Sequence, residues 1–189
     1  MIQYYIMNIF AIDENPHIAA KMHCDKHVVK MIVESAQMLC TAHRYLDGKC
    51  ANVLSPSGRK KKEWLFGDHR DQYHYKVAHV NHPSSIWTRE SKENYVWHYQ
   101  LFTALCDEYQ YRYGKVHSTD QKLRTILSNV PLGCPSIPMT PFKLAMKSNP
   151  ECMFPSDPIK SYRLFYQTKQ HRFKMTWSKR TIPAWFVPL

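Results

Sequence analysis

A helical repeat of apolar residues between Pro16 and Leu46 constrains the fold more than any other feature of this sequence. On a helix of about 100° per residue, one face collects the apolar side chains Ile18, Met22, Val29, Ile32, Ala36 and Leu39. The residues before Pro16 supply an N-cap, and Asp47-Gly48 supplies a C-terminal stop. Because further apolar residues widen this face, we expect most of a long helix to be buried.

Apolar spacing also predicts helices after this first one. The pattern favours a second long helix over residues 84–114, a shorter one over 119–130 and a last one over 159–173. A chain of 189 residues falls in the usual range for one domain. We therefore predict one all-α domain over residues 1–189, a helical bundle with long loops and an aromatic C-terminal tail.

Segments without a helical period are predicted to be irregular. Residues 48–62 contain Ser55-Pro56-Ser57-Gly58 followed by four consecutive cations, and we interpret them as a mobile basic loop. Residues 131–158 hold seven of the twelve prolines and are predicted to wrap over the surface. A short strand-like stretch over residues 6–12 precedes the first helix.

An excess of cations indicates the class of partner. Lysine and arginine number 26 against 15 aspartates and glutamates, which gives a formal charge of +11. Such a surplus attracts polyanions, and the basic residues alternate with aromatic ones rather than forming one amphipathic helix. No apolar run approaches the roughly 20 residues of a membrane span. We expect a soluble, cytoplasmic protein that binds duplex DNA, the plainer alternative being a basic protein without such a partner.

The cysteines predict neither a zinc site nor a disulfide framework. They are scattered without a CxxC pair, at Cys24, Cys40, Cys50, Cys106, Cys134 and Cys152. In a reducing compartment a chain of this size folds without disulfides. We expect free, mostly buried thiols, and the sequence indicates no cofactor.

A polar ridge interrupts the apolar surface of the first predicted helix. Its members recur at spacings of four and three, and are His23, His27, Lys30, Glu34, Gln37 and Thr41. One interpretation is a solvent-facing strip in which Lys30 and Glu34 form an ordinary ion pair. A second is a cleft wall in which Glu34, Lys30 and His27 perform acid–base chemistry. A third is a metal site, in which His23 and His27 share one ion with His79 or His82.

Other polar side chains are predicted to contact nucleic acid. Arg89 and the stretch His79 to Pro83 lie near the start of the second long helix, where backbone N–H groups and arginine can bind phosphate. The four consecutive cations of the predicted loop could follow a phosphate backbone. The predicted nucleic-acid contacts are His23, Lys26, Arg59, Lys60, Lys61, Lys62, His79, Asn81, His82 and Arg89.

Three stretches carry a resemblance to a known family. They are Met7-Asn8-Ile9-Phe10, the run Asp25-Lys26-His27-Val28-Val29 ending at Glu34, and Asn81-His82-Pro83 before an aromatic helix that finishes at Tyr111-Arg112-Tyr113-Gly114. Over about residues 7–114 the chain resembles the small helical pyrimidine-dimer DNA glycosylases, also called the endonuclease V type. The resemblance implies a helical DNA-repair enzyme that needs no cofactor.

The resemblance also implies a reaction and the residues that perform it. In that family an amine attacks C1′ of the damaged nucleotide and forms a Schiff base, a carboxylate assists, and β-elimination cleaves the strand. Glu34 matches the carboxylate and His27 matches a histidine of the same helix. The family's amine is the N-terminus, but six residues precede Met7 here, and Val33 stands where the family has arginine. Unless translation starts at Met7, Lys30, one turn from Glu34, is the available amine.

Other functions remain open on the sequence alone. A non-catalytic DNA-binding protein would use the polar ridge only to position phosphates. A metal-dependent nuclease or hydrolase would use the four histidines of the third interpretation. An enzyme acting on modified DNA bases is a further alternative, for which no residue discriminates.

Overall fold

Helices make up most of the regular structure in residues 7–189, the part of the chain that the computed structural model describes. In chain order the elements are α1 (Pro16–Met22), α2 (Asp25–Asp47), β1 (Lys49–Leu54), β2 (Lys60–Leu65), α3 (Arg70–Tyr73), α4 (Pro83–Thr88), α5 (Lys92–Tyr113), α6 (Ser118–Leu127) and α7 (Pro158–Gln167). Short 3-10 helices lie at Pro150–Cys152 and Thr168–His171. Within residues 7–189, no helix is both long and apolar enough to cross a membrane.

The prediction of an all-α fold is wrong, because β1 and β2 form an antiparallel hairpin. Lys49 pairs with Leu65 at the base of the hairpin, and Leu54 pairs with Lys60 near its tip. The hairpin occupies most of residues 48–62, which were predicted to be a mobile loop. Gly58, at a φ of 77°, closes the turn. The strands are short and largely polar, so they lack the alternating apolar pattern from which strands are predicted.

Arg44 of α2 fixes the base of this hairpin. Its buried guanidinium donates hydrogen bonds to the carbonyl oxygens of Trp64, at 2.9 Å, and Tyr75, at 2.8 Å, and pairs with Asp71. Gly48 brings the chain back against the helix, since a Cβ there would lie 2.5 Å from the carbonyl oxygen of Arg44. The end of α2 and the start of the hairpin are therefore held as one unit.

Each of the two long predicted helices is broken near its start. The first, predicted over 16–46, is divided into α1 and α2 at His23, whose backbone is extended with φ −66° and ψ 137°. At the break, Arg112 of α5 donates to the carbonyl oxygen of His23 at 2.8 Å, and the backbone N–H of Cys24 donates to the Tyr166 hydroxyl at 2.8 Å. The second, predicted over 84–114, divides into α4 and α5, and the Ser91 side chain caps α5. The predictions over 119–130 and 159–173 correspond to the shorter α6 and α7.

One continuous hydrophobic cluster extends from Met7 to Phe186. Within it α2 packs against α5, α4 and α6, and α1 packs against α5. Trp87 and Trp97 are both buried, as expected of core tryptophans. Among residues 7–189 the six cysteines are free, and five of them are buried, which confirms the prediction of free, mostly buried thiols.

Two segments without regular structure also contribute to the core. Residues 131–158 contain one 3-10 turn and are otherwise irregular up to the start of α7 at Pro158, as predicted, but they bury Ala145 and Met146. Residues 7–12 form no strand in the described part of the predicted stretch 6–12, and they cross α2 with a turn at Phe10. Met7, at the start of this crossing, lines a cavity against α2.

Candidate active site

A cavity of about 410 Å³ lies between α2 and the segment that begins at Met7. Its lining consists of Met7, Val29, Lys30, Val33, Glu34, Gln37 and His79. Its volume falls within the range of roughly 300–1,000 Å³ that is common for ligand pockets. Three members of the polar ridge therefore line a concave wall, which favours the cleft interpretation over the solvent-facing strip.

The carboxylate of Glu34 is held from two sides in this cavity. Lys30 Nζ lies 3.0 Å from Oε1, and the backbone N–H of Asn8 donates to Oε2 at 3.0 Å. Glu34 is buried, with 7% of its surface exposed. One oxygen thus contacts the ammonium of a partly exposed lysine, and the other contacts a backbone amide.

Asn8 is fixed because its own side chain is satisfied on both atoms. Nδ2 donates to the carbonyl oxygen of Ala145 at 3.1 Å, and Oδ1 accepts from the backbone N–H of Phe10 at 2.9 Å. Phe10 has a φ of 43°, an uncommon conformation for a residue other than glycine. The turn at Phe10 aims the Asn8 amide at Glu34. Helical spacing does not predict that Asn8 belongs to the site, because its contact with Glu34 joins residues 26 apart in the chain.

Burial sets the protonation behaviour of Glu34. It raises the pKa of the carboxyl, while the charge and hydrogen bond of Lys30, the amide of Asn8 and the charge of His79 act in the opposite direction. The net pKa lies above the ordinary value for glutamate. A carboxylate of this kind exchanges a proton closer to neutral pH than an exposed one does, which suits acid–base chemistry.

His27 lies behind the cavity wall. Its ring stacks on Phe10 with centroids 5.0 Å apart and meets Tyr166 edge-on at 4.8 Å. Burial lowers the pKa of His27 well below its ordinary value, with the charges of His23 and two lysines adding to the effect. His27 is therefore neutral at pH 7, and it supports Phe10 from behind.

The four histidines of the predicted metal site are not assembled. His23 is fully buried and directs Nδ1 to the carbonyl oxygen of Ala19 at 2.7 Å, and burial lowers its pKa to about 4. His79 is exposed at the other side of the cavity. Residues 7–189 bring together no group of three or more His, Cys, Asp or Glu side chains suited to a metal ion.

The stretch from His79 to Arg89 is built as a turn and a helix start. His82 caps α4 by accepting the backbone N–H of Ser84 at 3.2 Å. Arg89 donates to the carbonyl oxygen of Val80 at 2.8 Å, and its guanidinium lies 4.1 Å from the centre of the Tyr45 ring. Arg89 was predicted to contact phosphate at the surface. It is instead buried, and it stabilises the turn.

The remaining predicted nucleic-acid contacts divide by exposure. Asn81 and Lys26 are exposed, and Lys26 Nζ lies 4.9 Å from the centre of the Phe173 ring. The hairpin presents its cations to solvent, namely Arg59, Lys60, Lys61 and Lys62. His23, in contrast, is buried and cannot reach a ligand directly.

Comparison of the chain with protein-family models, curated proteins and solved structures finds no match. The chemistry of the cavity is therefore inferred from its own residues. They provide a buried carboxylate, an amine in contact with it and an apolar surround, a combination typical of sites where an amine is activated as a nucleophile.

Proposed function

We propose that this protein is a DNA glycosylase with AP-lyase activity, in which Glu34 and Lys30 act on C1′ of a nucleotide. The observation that supports the proposal is the contact of the buried Glu34 carboxylate with the Lys30 ammonium, at 3.0 Å, inside a cavity. The net charge of +11 suits a polyanionic substrate. The resemblance over residues 7–114 points to the same reaction.

The contact between Lys30 and Glu34 provides a route for proton transfer. Lys30 passes one proton to Glu34, whose raised pKa makes it a better acceptor than an ordinary glutamate. The neutral amine then attacks C1′, and the base leaves with the electrons of the glycosidic bond and takes up a proton. The ring oxygen O4′ then leaves C1′ and takes up a proton, which opens the sugar and leaves an iminium between Lys30 and C1′. Loss of a proton from C2′ permits β-elimination, which breaks the bond from C3′ to its phosphate oxygen.

Borohydride trapping tests this assignment directly. With a duplex that contains a cyclobutane dimer, we expect a covalent complex that is lost in Lys30→Arg, because a guanidinium keeps the charge but cannot form the imine. Protein and duplex are separated on a denaturing gel, and the modified residue is located by mass spectrometry.

Two other outcomes would redirect the proposal. Trapping that survives Lys30→Arg and appears only in protein begun at Asn8 would assign the reaction to an α-amine, since the Asn8 nitrogen lies 3.0 Å from Glu34. No trapping, combined with salt-sensitive binding of the duplex, would contradict catalysis and favour a DNA-binding protein.

The exposed lysines of the hairpin are proposed to bind the phosphate backbone. We expect replacement of Lys60, Lys61 and Lys62 with glutamine to weaken the salt dependence of DNA binding. The slope of the logarithm of the association constant against the logarithm of salt concentration should become less negative by up to roughly 0.9 per lost phosphate contact. Fluorescence anisotropy at several salt concentrations measures this slope. A control variant replaces three exposed lysines elsewhere, Lys115, Lys147 and Lys174. Equal slopes in the two variants would contradict a specific role for the hairpin.

A further inference from the structure

Among residues 7–189, Lys169 is the one lysine that is buried, with 7% of its surface exposed. Its Nζ lies 3.3 Å from the centre of the Phe165 ring and 5.9 Å from that of Phe10. These two rings stack with centroids 5.8 Å apart. The amine is therefore held against two aromatic rings, without water on most sides.

The charges around Lys169 do not favour an ammonium. Burial lowers the pKa of Lys169 to about 8, and the charges of Arg172 and Lys30 add to this, while the Cys152 thiol opposes it weakly. Of these two cations, Lys30 is itself paired with Glu34. A lysine desolvated beside other cations is the environment in which an ε-amine becomes a nucleophile.

The aromatic cage of Lys169 adjoins the Glu34 cavity. Phe10, which forms one wall of the cage, stacks on His27, and His27 lies one helical turn before Lys30 on α2. Nδ1 of His27 is buried and has no hydrogen-bond partner within residues 7–189. Phe10 thus joins Lys169 to the neutral imidazole of His27, on the helix that lines the cavity.

We propose that Lys169 is a second reactive amine, which condenses with aldehydes to form an imine. The neutral amine attacks the carbonyl carbon, and the resulting hydroxyl takes up a proton and leaves as water. A protonated imine remains, which borohydride reduces to a secondary amine. The identity of the natural aldehyde rests on the proposed function: its carbonyl carbon is then C1′ of the opened sugar at an abasic site.

Reductive labelling of the full chain with propionaldehyde and cyanoborohydride at pH 8 tests the amine without DNA. At that pH about half of the Lys169 side chains are neutral, against under about one in a hundred for an ordinary lysine. We expect Lys169 to be labelled at least ten-fold faster than Lys160, as read by mass spectrometry. Lys160 is a matched lysine because its Nζ lies 4.2 Å from the Phe154 ring, yet it is exposed.

Variants and a DNA arm separate this inference from the proposed function. Lys169→Arg keeps a cation on the aromatic rings. On an abasic-site duplex it is expected to remove the adduct that mass spectrometry locates at Lys169 and to leave the adduct at Lys30, whereas Lys160→Arg is expected to change neither. Labelling of Lys169 no faster than that of Lys160 would overturn the inference. Fast labelling of Lys169 without any trapping on the abasic duplex would support the reactive amine and count against the glycosylase.

Discussion

The Glu34→Gln variant is expected to trap on a cyclobutane-dimer duplex at least 100-fold more slowly than the natural protein. Glutamine has the same shape and can still accept the N–H of Asn8, but it cannot take a proton from Lys30. Proton transfer by a positioned side chain contributes roughly 10²–10⁴-fold to a rate. Single-turnover trapping with excess protein measures this loss without interference from product release.

A second carboxylate provides the control for this variant. Glu90 is partly buried and contacts a lysine, with its Oε1 2.7 Å from Lys143 Nζ, but it does not line the cavity. Glu90→Gln is therefore expected to trap at the natural rate. Natural rates in both variants would remove Glu34 from the chemistry and leave its ion pair with Lys30 as a structural contact.

The dependence of the rate on pH follows from the environment of Glu34. The reaction needs the carboxylate as a proton acceptor, so the rate falls as the pH drops and Glu34 becomes protonated. Because burial raises the pKa of Glu34, the midpoint of this fall is expected above the ordinary value for glutamate. The residual rate of the Glu34→Gln variant, measured over the same pH range, should not show this fall at low pH.

Local spacing was sufficient to predict that Lys30 and Glu34 lie in contact. Lys30 and Glu34 lie four residues apart, and an α-helix places such residues side by side whatever the rest of the chain does. The stop at Gly48 was also readable, because glycine there permits the close approach of the Arg44 carbonyl. Both features depend only on residues that are close together in the chain, so they can be predicted without knowledge of the tertiary contacts.

The parts that were missed depend on contacts between distant residues. The Asn8 amide reaches Glu34 only because residues 7–12 cross α2, and the Lys169 cage forms only when α7 packs against Phe10. The helix break at His23 is stabilised by hydrogen bonds to Arg112 and Tyr166 of other helices. No local propensity encodes these contacts, so neither the cage nor the fixed amide could be predicted from periodicity.

The Arg112→Met variant is expected to lose about 3–5 kcal/mol of unfolding free energy, the usual cost of breaking a buried ion pair by removing one partner. The Arg112 side chain is fully buried, pairing with Asp25 at 3.0 Å and with Glu108 at 3.1 Å. It also donates to the carbonyl oxygens of His23 and Lys21 at the end of α1. Methionine fills similar space but removes the donor of two carbonyl groups and one cationic partner of each carboxylate, while Asp25 keeps Thr176 and Ser178 and Glu108 keeps Arg180. Urea unfolding measures the loss.

An exposed arginine with the same kinds of partner serves as the control, because it has the charge of Arg112 without its burial. Arg124 contacts Asp107 and Asp120, but 37% of its side chain is exposed. Exposed ion pairs contribute roughly 0–1 kcal/mol, so Arg124→Met should cost far less than Arg112→Met. Equal urea midpoints for the two variants would contradict a special stabilising role for the buried ion pairs of Arg112. If only Arg112→Met is destabilised, the buried guanidinium that joins α5 to the end of α1 and the start of α2 stabilises the fold in a way that the exposed Arg124 does not.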